Sequence, residues 1–102
     1  MRTAERDQAG YRTVSGRITG SGAVVAGTGF AVTRTAAGTY TVRLTPPLRS
    51  VHSITATVEW GAGNYVAALD AVAPDSFVIR TKESTTGIAA DVAPFFTVRG
   101  IA

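Results

Sequence analysis

The sequence predicts an all-β protein, an antiparallel β-sandwich of the jelly-roll-like type with about eight short strands. Apolar and polar residues alternate along much of the chain, and turn sequences rich in Gly, Pro and Asp recur at short intervals. Two stretches have helical character, residues 3–8 and 88–92, and both are too short to form helices on their own. Short strands separated by frequent turns are typical of sandwiches and barrels, and 102 residues supply one core.

The predicted strands follow the alternation between turn sequences. In chain order they are 11–19, 23–26, 29–35, 39–45, 51–60, 65–73, 76–83 and 93–101. Glycine-rich turns, a Pro-Pro pair and a Pro-Asp pair separate them. Residues 1–10 are predicted to be a polar N-terminal arm or linker, and residues 11–102 a single β-sandwich domain.

The clearest hairpin joins strands 29–35 and 39–45. A three-residue loop ending at Gly38 places Phe30 opposite Leu44 and Val32 opposite Val42, so the apolar residues share one face. A loop one residue longer would place an arginine opposite Phe30. The last position of the shorter loop favours a left-handed conformation, which glycine adopts without steric cost.

Two further hairpins are predicted from the same reasoning. A four-residue loop after Trp60 would place Trp60 opposite Tyr65 and Ala56 opposite Leu69, and the next turn would place Leu69 opposite Ile79. Three consecutive strands would then share one apolar face. The residues predicted to be buried are Phe30, Val32, Val42, Leu44, Ile54, Val58, Leu69, Phe77 and Ile79.

The composition favours an oligomer. Of the residues 45% are hydrophobic and only 17% are charged, but much of the apolar share is Ala and Val, so large core side chains are few. Adjacent phenylalanines at 95 and 96 point to opposite faces of their strand, so one joins the core and the other needs cover elsewhere. The predicted subunit interface comprises Val66, Ala68, Val78, Phe95 and Phe96.

Charge, cysteine content and hydropathy exclude several classes of protein. The net charge of +3 comes from basic residues dispersed over different strands, whereas nucleic-acid-binding modules carry clustered basic stripes. The chain has no cysteine and therefore no disulfide framework. No apolar stretch approaches the length of a membrane span, and the first ten residues lack the apolar region of a secretory signal. We expect neither nucleic-acid binding nor membrane insertion.

The sequence offers no candidate for catalysis, and we predict a non-enzymatic protein without metal or cofactor. The single histidine, His52, has no local partner that would orient it as a base. Glu59 and Asp70 are expected on adjacent strands, where a structural pairing with Arg80 is the better interpretation. The glycine-rich turns lack the lysine and the strand-to-helix context of a phosphate loop.

The run GTGFAVTRTAAGTYTVRLTPPL, residues 27–48, is followed by SITATVEW and preceded by a short strand and a glycine-rich turn. This pattern resembles the small Gly/Thr/Val-rich β-domain that recurs near the C-termini of phage tail-fibre and related virion or phage-derived proteins. The resemblance covers residues 11–101. It implies a β-sandwich that assembles, commonly as a trimer, and presents loops to a ligand on a cell surface.

The expected function is that of a non-enzymatic virion module, a trimeric tail-fibre or tail-tip domain that binds a host-surface glycan and contacts other virion proteins. Such a protein would be made in the host cytoplasm without a signal peptide. Trp60, Asn64 and Tyr65 are the candidate ligand residues, because aromatic rings stack on apolar sugar faces while an amide bonds hydroxyls. The alternatives are a structural assembly or decoration subunit without its own ligand and, less favoured, a carbohydrate-binding module of a secreted enzyme.

Overall fold

The computed structural model describes residues 10–58 and 64–102, which form strands and no α-helix. The strands are β1 (Tyr11–Ile18), β2 (Val24–Ala26), β3 (Phe30–Ala36), β4 (Thr39–Leu44), β5 (Ser50–Val58), β6 (Tyr65–Asp70), β7 (Ser76–Glu83) and β8 (Pro94–Ile101). They form two antiparallel four-stranded sheets: the first sheet has the order β2-β1-β8-β5 and the second sheet β3-β4-β7-β6. This confirms the predicted all-β sandwich. Apart from Gly10, the predicted N-terminal arm lies outside the described residues.

The β3–β4 hairpin has the predicted register, with Phe30 opposite Leu44 and Val32 opposite Val42. The predicted three-residue loop was wrong in one detail. An irregularity after Arg34 makes Ala36 the partner of Thr39, so the turn itself contains two residues. Gly38 closes this turn with a φ of 65°, in the left-handed region predicted for it.

The predicted hairpin between β5 and β6 was wrong. β5 belongs to the first sheet and pairs with β8, with Ala56 opposite Phe96 and Thr57 opposite Phe95. β5 and β6 contact each other only as the adjacent edges of two different sheets. The shared apolar face of three consecutive strands is therefore not formed, and Ala56 does not face Leu69. The predicted Trp60–Tyr65 pair involves Trp60, which lies outside the described residues.

The β6–β7 hairpin confirms the pairing of Leu69 with Ile79. β6 is shorter than predicted and ends at Asp70, where the carboxylate accepts a hydrogen bond from the backbone N–H of Ala71 at 2.8 Å. Ala71 then takes a positive φ of 50°, which turns the chain away from the sheet. The predicted pairing of β6 with β7 is therefore present, and the contact between Asp70 and Ala71 marks the end of β6.

The core lies between the sheets. Of the residues predicted to be buried, Val42, Leu44, Phe77 and Ile79 are buried. Four others are half-buried and pack against the core rather than inside it, because they lie on edge strands: Phe30, Val32, Ile54 and Leu69. Val58, at the end of β5, is also half-buried. The central strands supply most of the remaining core: Val14, Ile18, Tyr40, Leu48, Phe96 and Val98.

Three phenylalanine rings join the sheets. The Phe96 ring meets those of Phe30 and Phe77 edge to face, at centroid distances of 4.9 and 5.2 Å. Gly16 faces this cluster from β1, and a Cβ there would stand 2.3 Å from the Phe30 ring. The missing side chain at position 16 therefore makes room for Phe30 to reach Phe96 across the sandwich.

A buried arginine also connects the sheets. Arg12 on β1 is only 9% exposed and donates hydrogen bonds to the backbone carbonyls of Gly29, Thr45 and Pro46. These carbonyls flank the two arms of the β3–β4 hairpin, so the guanidinium fixes the first sheet to the end of that hairpin. Hydrogen bonds to several carbonyls satisfy the donors of a cation that burial would otherwise destabilise.

Candidate functional site

The predicted ligand residues are only partly described by the structure. Trp60 lies outside the described residues. Asn64 is exposed, and its backbone carbonyl accepts a hydrogen bond from the Ser84 N–H at 2.7 Å. Tyr65 is half-buried at the start of β6, on the face that carries Leu69 towards the core. In the described part of the chain this end of the sandwich therefore presents an amide but no fully exposed aromatic ring.

The predicted interface residues divide between opposite sides of the molecule. Val66, Ala68 and Val78 lie on the outer face of the second sheet, with Val66 39% exposed. Phe95 lies on the outer face of the first sheet, and Phe96 is buried in the core of the same chain. Phe96 is thus unavailable to a neighbouring subunit, and the others do not form one continuous patch.

The outer face of the first sheet carries an unusual concentration of hydroxyl groups. β1, β8 and β5 pair side by side, so their outward residues form three rows of three. The middle row is Ser15, Thr97 and Thr55. We call these nine positions the hydroxyl grid, since six are Ser or Thr: the first row is Thr13, Arg99 and Ser53, the second Ser15, Thr97 and Thr55, and the third Arg17, Phe95 and Thr57.

Two contacts between arginines and aromatic rings lie at opposite ends of the hydroxyl grid. The Arg17 guanidinium carbon stands 5.1 Å from the centre of the Phe95 ring. At the other end, Arg99 stands 4.1 Å from the centre of the Tyr11 ring. Both distances are within the range of cation–π attraction. Each contact places a cation beside an aromatic ring on the outer face of the first sheet.

Shallow depressions lie on either side of β8 on this face. The larger, about 330 Å³, is bordered by Ser15, Arg17, Gly27, Phe95 and Thr97, among others. The smaller, about 110 Å³, is bordered by Thr55 and Thr57 together with the same Phe95 and Thr97. The larger volume lies at the lower end of the roughly 300–1,000 Å³ found for small-molecule sites. Phe95 and Thr97 therefore form the ridge between two adjoining hollows.

A second cluster of polar side chains surrounds Asp91, in the segment between β7 and β8. Its carboxylate accepts hydrogen bonds from Arg34 Nε at 3.0 Å, from Arg34 Nη2 at 2.7 Å and from the Gly38 backbone N–H at 2.7 Å. The Tyr40 hydroxyl lies 3.4 Å from the same carboxylate and donates to the Gly20 carbonyl at 2.8 Å. Asp91 thereby joins the β3–β4 turn to the segment that leads into β8.

The electrostatics of this cluster fit a structural role. Hydrogen bonds from Arg34, then from the Gly38 N–H, lower the pKa of the Asp91 carboxyl. Burial, with the nearby Asp91 charge, raises the pKa of the Tyr40 hydroxyl. Both shifts move the pKa further from neutral pH, so the carboxyl stays charged and the phenol stays neutral there. The cluster therefore stabilises a loop and offers no acid–base pair.

Other charged and titratable groups also have structural partners. Arg80 Nε lies 3.1 Å from Asp70 Oδ2, which confirms Arg80 as a partner of Asp70; Glu59 lies outside the described residues. His52 is exposed at an irregularity in β5, and its ring meets Tyr11 edge-on at 4.6 Å. Among residues 10–58 and 64–102, no three His, Cys, Asp or Glu side chains lie together as metal ligands would.

The hydroxyl grid was not anticipated from the sequence. The signal was present, because Ser53, Thr55 and Thr57 alternate with apolar residues, as do Thr13 and Ser15. Alternation identifies a solvent-facing side of a strand, but it does not say which strands lie beside it. Only the pairing of β8 with both β1 and β5 brings the three polar sides into one surface.

Comparison with protein-family models, with curated proteins and with solved structures finds no match. Within the described residues, no helix has the length and apolar character that a membrane crossing requires.

Proposed function

We propose that the chain is a non-enzymatic recognition module of a phage virion, a tail-fibre or tail-tip domain that assembles as a homotrimer and binds a glycan on the host cell surface. The observation that carries the binding role is the outer face of the first sheet, where the half-buried Phe95 ring lies among exposed hydroxyl groups. Phe95, Thr97 and Ser15 lie there beside a hollow of about 330 Å³. An aromatic ring with convergent hydroxyls suits a sugar, which has both apolar faces and hydroxyl groups.

The assignment to a virion rests on the resemblance of residues 11–101 to tail-fibre β-domains. The register of the β3–β4 hairpin, on which that resemblance largely depends, is present in the structure. In such a particle the module would contact other virion proteins as well as the host.

The trimer rests on the same resemblance and on apolar side chains of the second sheet. Val66 and Ala68 on β6 and Val78 on β7 lie on its outer face, among Lys82 and the exposed Asp70–Arg80 ion pair. Sedimentation or light scattering at micromolar concentration should give about three chains per particle. Val66→Glu should reduce this mass, whereas Val25→Glu, at a 54% exposed valine on β2, should not. A wild-type monomer would contradict the trimer.

A glycan array of bacterial surface polysaccharides tests the binding role. Specific binding by the wild-type protein supports a receptor-binding module. Absence of glycan binding, together with stable incorporation into a phage particle, would favour the second candidate, an assembly or decoration subunit. The adjacent exposed valines of edge strand β2, Val24 and Val25, are the observation that favours this candidate, since an edge strand with exposed apolar side chains can pair with another chain.

A further inference from the structure

We propose that the hydroxyl grid is the glycan-binding surface and that its ligand is a neutral saccharide of at least two sugar units. This inference rests on the proposed function, which it deepens by naming the site and the chemical class of the ligand. It replaces the ligand residues predicted from the sequence, Trp60, Asn64 and Tyr65, with residues on the outer face of the first sheet.

The hydroxyl groups supply the first argument. Ser15, Thr55, Thr57 and Thr97 are all exposed, and no side-chain hydrogen bond within the described part of the chain uses their hydroxyls. Each hydroxyl can donate one hydrogen bond and accept two, as the hydroxyls of a sugar can. Neighbouring strands lie about 4.8 Å apart, so the row Ser15, Thr97 and Thr55 spaces these groups evenly across the surface.

Phe95 supplies the second argument. It directly follows Thr97 along the outward side of β8 and pairs with Arg17 and Thr57 on the flanking strands. The ring is half-buried, and the Arg17 contact at 5.1 Å restricts its orientation. A half-buried aromatic ring beside exposed hydroxyls gives a sugar both an apolar surface to pack on and polar groups to bond.

The two hollows set the minimum length of the proposed ligand. They adjoin across β8, one reaching β1 and the other β5, and Phe95 and Thr97 border both. A single sugar would occupy one hollow. A saccharide of two or more units lying across the strands would fill both while crossing the ridge.

Rigidity and charge favour this surface and this ligand. β8 is paired along its length with β1 and β5, so its outward side chains need little ordering when a ligand binds. The two arginines of the grid are already placed against aromatic rings, Arg17 on Phe95 and Arg99 on Tyr11. Six of the nine grid positions carry hydroxyls, so uncharged hydrogen-bonding groups make up most of the surface, as a neutral saccharide requires.

The test is a titration of the isotope-labelled full chain, followed by NMR, with neutral gluco- and N-acetylglucosamine oligosaccharides of one to six units. We expect the amide signals of Ser15, Thr55, Phe95 and Thr97 to shift together, and disaccharides to bind more tightly than monosaccharides. Phe95→Ala should weaken binding about tenfold. Thr97→Val, which removes one hydroxyl and keeps the shape and strand preference, should weaken it about fivefold.

Thr33→Val is the matched control, because Thr33 is an exposed threonine on the outer face of the second sheet. It should leave binding unchanged. If a saccharide binds but the shifts centre on Asn64 and Tyr65, with Thr97→Val without effect, the grid is not the site and the proposed function stands. Binding of acidic saccharides alone would overturn the ligand class. If neither the array nor the titration detects any saccharide, the glycan-binding function itself fails.

Discussion

Arg34 and Asp91 form a bidentate ion pair between residues 57 positions apart in sequence, with Nε–Oδ1 and Nη2–Oδ2 distances of 3.0 and 2.7 Å. The pair closes the end of the sandwich at which the β3–β4 turn meets the segment before β8. The parallel geometry of two charge-assisted hydrogen bonds distinguishes it from an ordinary surface ion pair.

Asp91→Asn should lower the stability of the protein at neutral pH. The pKa of Asp91 is lowered in the folded state, so its contribution is present above the unfolded pKa of about 3.9 and is lost as the pH falls through the lower folded value. Urea unfolding should therefore give a lower midpoint for the variant at pH 7, and the difference should shrink as the pH falls below about 4. Asp70→Asn is the control, since Asp70 makes only one, more exposed bond to Arg80 and asparagine keeps a side-chain oxygen that can accept from the Ala71 N–H. Equal effects of both variants would contradict the role of Asp91.

Gly38→Ala should be more destabilising than Gly87→Ala. Both glycines have a positive φ, 65° and 72°, so both substitutions carry the backbone cost of about 1–2 kcal/mol. At Gly38 the added Cβ would also stand 2.3 Å from the Thr81 carbonyl oxygen, whereas nothing lies within 4 Å at Gly87. Thermal unfolding of the two variants isolates the steric part of the effect. Equal losses of stability in the two variants would mean that the β3–β4 turn moves to accommodate the added methyl group.

Ile79→Ala should cost about 2–5 kcal/mol, because Ile79 is fully buried between the sheets. Leu69→Ala, at its partner position on edge strand β6, should cost about 2 kcal/mol or less, since half-burial lets solvent and neighbours fill part of the space. Denaturant titrations of the two variants provide the comparison. A larger loss of stability for Leu69→Ala than for Ile79→Ala would contradict this expectation and would show that another chain covers edge strand β6 in solution.

His52→Ala should leave saccharide binding and oligomeric mass unchanged. The histidine contacts Tyr11, with a distance of 3.4 Å between Nε2 and the phenol oxygen, and lies outside the two hollows. Binding titration and sedimentation of the variant provide the measurement. A metal-dependent hydrolytic activity that disappears in the variant would contradict the non-enzymatic assignment.

Local pairing was predictable from the sequence, and long-range pairing was not. The registers of Phe30 with Leu44 and of Leu69 with Ile79 follow from short turns that leave few alternatives. Nothing local indicates that β5 pairs with β8, because Ile54 and Ala56 would be buried equally well in either sheet. The hydroxyl grid could not be predicted for the same reason, because the polar sides of β1, β8 and β5 form one surface only after these strands are placed together.

The pairing of β1 with β8 brings Tyr11 opposite Ile101, and the Ala102 N–H donates to the Gly10 carbonyl at 2.8 Å. The hydrogen bonds of an antiparallel pair run perpendicular to the strands. A force that pulls Tyr11 and Ile101 apart would therefore act along the hydrogen bonds between β1 and β8 and break them one after another. Strands pulled apart in this direction separate at a lower force than strands pulled lengthwise past each other, because only one hydrogen bond carries the force at a time.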